Sequence, residues 1–196
     1  MLDTNCRKFI QPFIKLGANI FIKLNITANQ VTSIALIFGI ASGILIYLDF
    51  PYIAIALLWF SGYLDAVDGT IARHSGSTPF GTVMDITFDR IVEISLILGL
   101  ALKNPNINFL FLCLACSIII SMTIFLVTGS LTTKKSEKSF YYQPGLAERT
   151  EGFIMFSLMI LFQTYLNYLT LIFIFIVLFT ATQRFLEGKK ILNKLS

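Results

Sequence analysis

The stretch from Ser61 to Glu93, SGYLDAVDGTIARHSGSTPFGTVMDITFDRIVE, concentrates ionisable side chains in an otherwise apolar chain. Its seven charged residues are Asp65, Asp68, Arg73, Asp85, Asp89, Arg90 and Glu93. On both sides of this stretch lie long apolar runs with almost no charge. Since an ionised side chain at the centre of a bilayer costs about 2.5–3.5 kcal/mol, this concentration of charge requires a structural or functional reason.

The composition of the whole chain is that of a membrane protein. Of its 196 residues, 56% are hydrophobic and 13% are charged, whereas about a quarter of the residues of a soluble domain are charged. This composition excludes disorder, a basic nucleic-acid-binding domain and most small soluble enzymes, so no nucleic-acid partner is expected. We predict an all-α integral membrane protein surrounded by membrane lipids.

Six apolar runs are long enough to cross a hydrocarbon core about 30 Å thick, which takes about 20 residues of helix. They cover residues 27–49, 52–73, 79–102, 107–131, 149–167 and 169–186. The links between them are short, apart from the loop 132–148. We therefore predict a single domain over 1–196, with a six-helix transmembrane bundle over 27–186 and a cytoplasmic tail over 187–196.

The segment 3–24, DTNCRKFIQPFIKLGANIFIKL, combines apolar residues at roughly helical spacing with several basic residues. This pattern predicts an amphipathic helix that lies in the membrane interface, and a short soluble helix is the alternative. The segment lacks the pattern of a secretory signal peptide, so none is expected.

The positions of the basic residues predict the orientation. With the six spans above, 14 of the 15 Lys and Arg residues fall on one side, and only Lys103 falls on the other. The positive-inside rule then places both termini, the acidic stretch and the loop 132–148 in the cytoplasm. In a prokaryotic cell the membrane would be the cytoplasmic membrane.

The four aspartates form two pairs, each on one helix face. Asp68 lies three positions after Asp65, and Asp89 lies four positions after Asp85, which brings the Cβ atoms of each pair within about 5–6 Å. The two helices are joined by a short turn and are therefore antiparallel neighbours. Converging carboxylates suit one or two ions of Mg²⁺, Mn²⁺ or Ca²⁺; the alternative is that acids and arginines pair with one another to hold the bundle together.

Small residues next to the acids indicate room for a ligand. Gly69 and Ala72 follow the first pair, and Gly81 precedes Asp85 by one helical turn. Arg73 adds a fixed cation suited to phosphate. We infer a site for a nucleotide that carries a diphosphate. The inference rests on carboxylates suited to a divalent metal, a helix surface without bulky side chains, and an arginine.

The pattern DxxDGxxAR, followed by GxxxDxxxD after seven residues, resembles the signature of the CDP-alcohol phosphatidyltransferases. The matching residues are Asp65, Asp68, Gly69, Ala72, Arg73, Gly81, Asp85 and Asp89. The one variation is the spacer between Arg73 and Gly81, which is seven residues where eight is common. The resemblance extends to the chain length, the six spans and the N-terminal interfacial helix.

The resemblance implies a specific reaction. Members of this family move a phosphatidyl or related phospho-alcohol group from a CDP-linked lipid, such as CDP-diacylglycerol, to the hydroxyl of a small polar acceptor, and release CMP. By resemblance, Asp65, Asp68 and Asp85 are expected to hold two ions of Mg²⁺ or Mn²⁺. Asp89 is expected to complete the set and to act as the general base. The resemblance further implies that Gly69, Ala72, Arg73 and Gly81 bind the cytidine nucleotide, and that the protein is a homodimer.

Two polar residues at the start of the first span resemble a Pro-Asn-x-x-Thr element of the family, with Ala28 in the place of proline. Asn29 and Thr32 are therefore expected to contact the nucleotide. A capping box between Thr27 and Gln30 is the alternative explanation for this polar segment, and the two explanations are compatible.

The acceptor is less clearly indicated. The segment GLAERTE resembles the family members that use inositol phosphate more than those that use glycerol phosphate, and Arg149 and Arg184 are candidates to bind the acceptor's phosphate. Lys134 and Lys135 are further candidates, although ordinary positive-inside charge facing anionic lipid headgroups is the better explanation for them.

Two other functions compete with this interpretation. Intramembrane prenyltransferases also bind a diphosphate through Asp-rich motifs, but they lack the Gly-x-x-Ala-Arg element. A non-enzymatic cation carrier would need a polar path across the bilayer, whereas residues 52–59 and 95–101 are almost wholly apolar.

Overall fold

A computed structural model describes the chain over residues 2–132 and 148–193, with side chains from residue 10 onwards. Within these ranges the regular structure is entirely helical. The helices are α1 (Leu2–Lys23), α2 (Ala28–Tyr47), α3 (Pro51–Ser75), α4 (Pro79–Lys103), α5 (Asn108–Leu131), α6 (Arg149–Leu161) and α7 (Leu166–Leu192). Short 3₁₀ helices, Pro105–Ile107 and Gln163–Tyr165, precede α5 and α7.

The first four spans expected from the sequence agree with α2 to α5 within about two residues at each end, which is the usual scatter of helix boundaries. The boundary between the last two spans is wrong. We expected a break at about residue 168, whereas α6 ends at Leu161 and α7 begins at Leu166 and continues to Leu192. Much of the expected tail over 187–196 is therefore helical.

The break after α6 is made by Phe162 and Gln163. Phe162 leaves the helical conformation with φ −105° and ψ 63°. The Nε2 atom of Gln163 then donates to the carbonyl oxygens of Met159 at 2.8 Å and Ile160 at 3.0 Å. This side chain thereby satisfies carbonyls that the helix end leaves without a backbone donor, a role that an apolar run does not reveal.

Among the described residues, three helical segments are long and apolar enough to cross a membrane: Ala28–Tyr47, Pro105–Leu131 and Gln163–Leu192. Helices α3 and α4 have 25 residues each but carry the acidic stretch. Helix α6 has only 13 residues, which corresponds to about 20 Å at 1.5 Å per residue. Length and composition therefore support three spans directly.

Helix contacts divide the chain into two compact units. One unit is Thr4–Pro105, which contains most of α1 and all of α2, α3 and α4, and the other contains α5, α6 and α7. In the first unit α2 contacts both α3 and α4. In the second unit α7 contacts both α5 and α6.

Small residues bring α2 and α4 close together. A Cβ atom added to Gly99 would collide with the carbonyl oxygen of Gly43. The Oγ of Ser95 donates to the carbonyl oxygen of Gly39 at 3.2 Å, across the same pair of helices. Close backbone approach and interhelical hydrogen bonds of this kind are typical of helix packing in membranes, where the hydrophobic effect does not drive association.

Because α2, α3 and α4 alternate in direction, the first unit has the acidic stretch at one end and an ion pair at the other. At one end α2 begins, α3 ends and α4 begins, and this end carries the acidic stretch. At the other end the Nζ of Lys103, on α4, lies 2.5 Å from Oδ1 of Asp49 in the turn between α2 and α3. Asp49 itself has a positive φ of 65°, a conformation that aspartate tolerates better than most residues do.

In the second unit, α5 and α7 also approach closely. A Cβ atom on Gly188 would lie 2.9 Å from Oγ1 of Thr128. The rings of Phe156 on α6 and Phe173 on α7 pack edge to face with centroids 5.2 Å apart. This packing holds the helices that carry Arg149 and Arg184.

Candidate functional site

The start of α2 is held by a capping box. The backbone N–H of Gln30 donates to Oγ1 of Thr27 at 3.4 Å, and the backbone N–H of Thr27 donates to Oε1 of Gln30 at 2.8 Å. The structure thus confirms the capping explanation for this segment. Because the box orients the first turn of α2, it also sets the direction of Asn29 within that turn.

A short turn joins the two helices that carry the acidic residues, α3 and α4. Gly76 has a φ of 95°, a left-handed conformation that glycine adopts without steric cost. Two residues later, Thr78 caps α4, and its Oγ1 accepts from the backbone N–H of Gly81 at 3.0 Å. Only the three residues 76–78 therefore separate the end of α3 from the capped first turn of α4.

Three of the four expected carboxylates converge at this end. Oxygen atoms of Asp65 and Asp68 on α3 and of Asp85 on α4 all lie within 4.8 Å of one another. Asp68 is buried, with 4% of its surface exposed. Asp89, one helical turn beyond Asp85, is not one of the carboxylates within this distance.

These three residues fit a divalent cation. Carboxylate oxygens are hard ligands of the kind that Mg²⁺ and Mn²⁺ take in proteins. Three like charges this close, one of them buried, repel each other unless positive charge is shared among them. These three carboxylates are therefore a donor set suited to Mg²⁺ or Mn²⁺.

The two arginines near the acids, Arg90 and Arg73, each contact a side chain of their own helix. Nη1 of Arg90 lies 2.6 Å from Oε2 of Glu93, one turn away on α4. Nη2 of Arg73 donates to Oγ1 of Thr70 at 2.9 Å. The Arg90–Glu93 pair shows that part of the charge in this stretch is matched within α4.

The small residues expected at the nucleotide site have different surroundings. A Cβ atom on Gly81 would lie 3.0 Å from Oδ1 of Asn29 and 3.0 Å from Oγ1 of Thr78. At Gly69 the nearest atom to an added Cβ would be Nη1 of Arg73, at 3.5 Å. Ala72 is partly exposed on the same helix. The structure thus brings Asn29 and Gly81 together, and leaves ordinary space beside Gly69.

Thr32 is turned towards its own helix. Its hydroxyl donates to the carbonyl oxygen of Ala28 at 2.9 Å, and the residue is buried. An open, shallow surface depression of about 560 Å³ lies between the first turns of α2 and α4. The depression is lined by Ile26, Asn29, Gln30, Ser33, Ile34, Phe80 and Met84.

The candidate acceptor residues lie in the other unit. Arg184 on α7 is buried, with 7% of its surface exposed. Its Nη1 donates to Oγ of Ser121 at 3.3 Å, and its guanidinium carbon lies 4.8 Å from the ring centroid of Phe125. The guanidinium of Arg149 similarly lies over the ring of Phe153 at 5.4 Å. Lys134 and Lys135 are outside the described residues.

The contacts of Arg184 were not expected from the sequence. A usable signal was nevertheless present in α5, where small polar residues recur at Ser117, Ser121 and Thr128 within an apolar run. These three side chains are buried, and a repeated polar face on an apolar helix indicates an inward-facing side.

Comparison with known sequences gives a family match. The sequence pattern of the CDP-alcohol phosphatidyltransferase family matches residues 25–183. The archaetidylinositol phosphate synthase of Pyrococcus horikoshii is 31% identical over 194 residues, which covers 97% of both chains. The inner membrane protein YnjF of Escherichia coli is 28% identical over 170 residues, which covers 83% of this chain and 82% of YnjF.

Comparison with solved structures gives the same fold. A crystal structure of Mycobacterium tuberculosis phosphatidylinositol phosphate synthase with CDP-DAG bound has a TM-score of 0.69 at 21% identity, covering 85% of this chain and 88% of that one. A second structure of that protein, in complex with manganese and citrate, has a TM-score of 0.70 at 20% identity and covers 87% and 86% of the two chains. At these identities the likeness establishes the fold alone.

Proposed function

Because the chain belongs to the CDP-alcohol phosphatidyltransferase family, we propose that it transfers the phosphatidyl or related group of a CDP-linked lipid to a hydroxyl of a phosphorylated polyol and releases CMP. It is an enzyme of phospholipid synthesis and an integral membrane protein. The observation that carries the proposed chemistry is the convergence of Asp65, Asp68 and Asp85 within 4.8 Å. The family match over residues 25–183 overturns the two alternatives, an intramembrane prenyltransferase and a cation carrier.

The proposed metal ligands are Asp65, Asp68, Asp85 and Asp89. One carboxylate oxygen of each of the first three lies within 4.8 Å of the other two, and Asp89 follows on the same helix as Asp85. Two Mg²⁺ or Mn²⁺ ions, when bound, would neutralise the diphosphate and stabilise the departing CMP. A solved structure of the same fold was obtained with manganese, which supports this choice of metal.

We assign the proton transfer to Asp89. In the reaction the acceptor oxygen forms a bond to the lipid-linked phosphorus, the bond from that phosphorus to the CMP oxygen breaks, and the hydroxyl proton passes to the Asp89 carboxylate. A carboxylate is a weak base towards an alcohol, so it acts usefully only on a hydroxyl that is already held in position. The position of Asp89 outside the three-carboxylate cluster suits a group that serves the acceptor as well as the metal.

The nucleotide is proposed to bind along Gly69, Ala72, Arg73 and Gly81, with Asn29 and Thr32 from α2. Asn29 and Gly81 meet at the starts of their helices, where backbone N–H groups also favour anionic groups. Arg73 supplies a guanidinium for phosphate oxygens. The Thr32 hydroxyl donates its hydrogen to the carbonyl oxygen of Ala28. We therefore propose that its oxygen accepts a hydrogen bond from the nucleotide.

The acceptor is proposed to be inositol phosphate, with glycerol phosphate as the second candidate. The relative that covers 97% of the chain is an archaetidylinositol phosphate synthase, and the solved structures are of a phosphatidylinositol phosphate synthase. We propose that Arg149 and Arg184 bind the acceptor's phosphate, and that Lys134 and Lys135 add to this. A buried guanidinium that is stacked on a ring and hydrogen-bonded to Ser121 is rigid enough to recognise one phosphate geometry.

In the membrane, we propose six spans, α2 to α7, within a single domain, with α1 in the interface and the termini and acidic stretch in the cytoplasm. The apolar residues Ile10, Phe13, Leu16 and Ile20 are all exposed on α1, and Leu24, which directly follows α1, is exposed as well. Lys15 and Lys23 lie on the same helix. An exposed apolar side with lysines beside it suits a helix that lies at the lipid surface. We also propose a homodimer, as in the family.

The reaction is tested with the purified protein, CDP-diacylglycerol and Mn²⁺ or Mg²⁺, by measuring CMP release with inositol phosphate, glycerol phosphate, inositol, serine and choline. We expect release with inositol phosphate, and a loss of about 100-fold or more in Asp68→Asn and Asp89→Asn. Asp49→Asn is the matched control, because it removes the same charge at the opposite end and asparagine tolerates the positive φ. No CMP with any acceptor, or full activity of both site variants, would refute the proposed reaction.

The acceptor assignment has its own arm in this experiment. Arg184→Lys keeps the charge but loses the planar fork, so we expect a higher KM for inositol phosphate and an unchanged KM for the CDP-linked donor. If the KM for the donor rises instead, Arg184 does not bind the acceptor.

A further inference from the structure

One contact between α1 and α3 involves residues of α3 that are neighbours of the proposed metal ligands in the sequence. Ile14 and Ala18 of α1 belong to a buried cluster with residues of α2 and α3. The members of that cluster are Ile14, Ala18, Val31, Ala35, Leu64, Val67 and Ile71. Tyr63 packs against it and is partly buried.

The approach of the two helices at this point is unusually tight. A Cβ atom on Gly17 would collide with Oη of Tyr63 and would lie 3.1 Å from Cγ2 of Val67. The Tyr63 hydroxyl donates to the carbonyl oxygen of Phe13, one turn before Gly17, at 3.1 Å. The absence of a side chain at Gly17 therefore makes room for one hydroxyl, and that hydroxyl bonds to the backbone of α1.

This contact is interleaved with the metal ligands along α3. Tyr63 precedes Asp65 by two residues, and Val67 directly precedes Asp68. At about 100° per residue, Tyr63 and Val67 share one side of the helix while Asp65 points to the other. Tyr63 and Val67 both contact α1. This contact fixes the rotation and the axial position of the α3 turn that carries Asp65 and Asp68.

We propose that Tyr63 is a positioning residue for the metal site: its hydroxyl bond to Phe13 in α1, made possible by Gly17, holds Asp65 and Asp68 in register with Asp85. This inference deepens the proposed function and rests on its metal site. A metal requires its ligands within a few tenths of an ångström of their ideal distances, so a hydrogen bond that sets a helix register acts on metal affinity. The apolar contacts between α1 and α3 tolerate a shift of this size more readily than metal–ligand distances do.

The test measures Mn²⁺ binding to the purified full-length protein, by the electron paramagnetic resonance of free Mn²⁺ during titration, and thermal unfolding without metal. Tyr63→Phe removes only the hydroxyl. We expect the dissociation constant for Mn²⁺ to rise at least threefold, which is less than the roughly 10–100-fold effect of losing a direct partner of a ligand. Tyr52→Phe is the matched control, since Tyr52 is 79% exposed at the opposite end. Asp68→Asn should lose the binding and thereby identify the site being measured.

A second pair of variants tests the role of Gly17. Gly17→Ala should weaken Mn²⁺ binding, because the new methyl group displaces the Tyr63 hydroxyl. The same substitution in the Tyr63→Phe background should have a smaller effect, because the closest atom is already gone. Such non-additivity is the mark of two residues that act through one contact.

The outcomes separate this inference from the proposed function. If Tyr63→Phe lowers the melting temperature but leaves the Mn²⁺ dissociation constant within twofold of the wild type, the residue is only structural and the inference is wrong. If the two substitutions are additive, the Gly17 part is wrong. If the wild type binds no Mn²⁺, the metal site fails and the inference fails with it. If binding behaves as expected but no acceptor yields CMP, the proposed reaction fails while the positioning role stands.

Discussion

Gly69 and Gly81 both lie beside the converging carboxylates, yet they lack side chains for different reasons. At Gly81 an added Cβ would press on Asn29 and Thr78 at 3.0 Å, so the protein itself excludes it. At Gly69 the nearest atom would be a flexible arginine nitrogen at 3.5 Å, which is ordinary contact distance. The protein therefore tolerates a methyl group at Gly69, and any penalty there must come from a ligand.

Gly69→Ala should separate stability from substrate binding. We expect the melting temperature to stay the same or rise slightly, because alanine favours a helix over glycine by about 0.5–1 kcal/mol. The KM for the CDP-linked donor should rise by about tenfold, the equivalent of about 1.4 kcal/mol, because the methyl group occupies space left for the nucleotide. CMP release as a function of donor concentration measures this.

The control for Gly69→Ala is Gly152→Ala in α6, where an added Cβ would also meet only ordinary contact, with Phe173 at 3.9 Å. It should leave both the melting temperature and the donor KM close to those of the wild type. An unchanged donor KM in Gly69→Ala would show that the nucleotide does not approach this residue.

At the level of the helices, the close approach of α2 and α4 places Asn29 next to Gly81. The contact between Gly43 and Gly99 lies further along the same two helices, and backbone atoms are involved on both sides. A side chain there has no flexible partner to displace, so the two helices themselves would have to separate.

Gly99→Ala should therefore destabilise the protein, by about 1–3 kcal/mol if the cost is that of ordinary overpacking. A lower melting temperature in detergent, relative to the wild type and to Gly152→Ala, is the expected result. Because separation of α2 from α4 also moves Asn29 from Gly81, the donor KM should rise as well. A melting temperature equal to that of Gly152→Ala would contradict the close packing described above.

For the whole molecule, the distribution of basic residues predicts which end faces the cytoplasm. Tyr52 at the start of α3 and Ser77 in the turn before α4 are both exposed, at opposite ends of α3. The first should face away from the cytoplasm and the second towards it, since nearly all Lys and Arg residues fall on the side of Ser77 in the six-span arrangement.

The measurement uses a background in which Cys6, Cys113 and Cys116 are replaced by serine. A membrane-impermeant maleimide added to intact cells should label Tyr52→Cys and spare Ser77→Cys, while inside-out vesicles should give the reverse. The cysteine-free protein should remain unlabelled in both preparations. Labelling of Ser77→Cys in intact cells would invert the proposed orientation.

The sequence alone determined the helical class, the positions of α2 to α5 and the identity of the acidic residues, since all of these depend on local composition and spacing. Residues three or four apart share a helix face whatever surrounds the helix, so the pairing of Asp65 with Asp68 needed no tertiary information. The capping box at Thr27 is local in the same sense. The resemblance to the family rested on the same short-range pattern, and the family match over residues 25–183 confirms it.

Only the tertiary structure decided which residues from different helices meet. It grouped Asp85, and not Asp89, with the two α3 carboxylates, placed Asn29 against Gly81 and joined Tyr63 to Phe13. These distances depend on how neighbouring helices pack along their full length, and a pattern of apolar residues that is almost uniform around each helix carries little information about that packing.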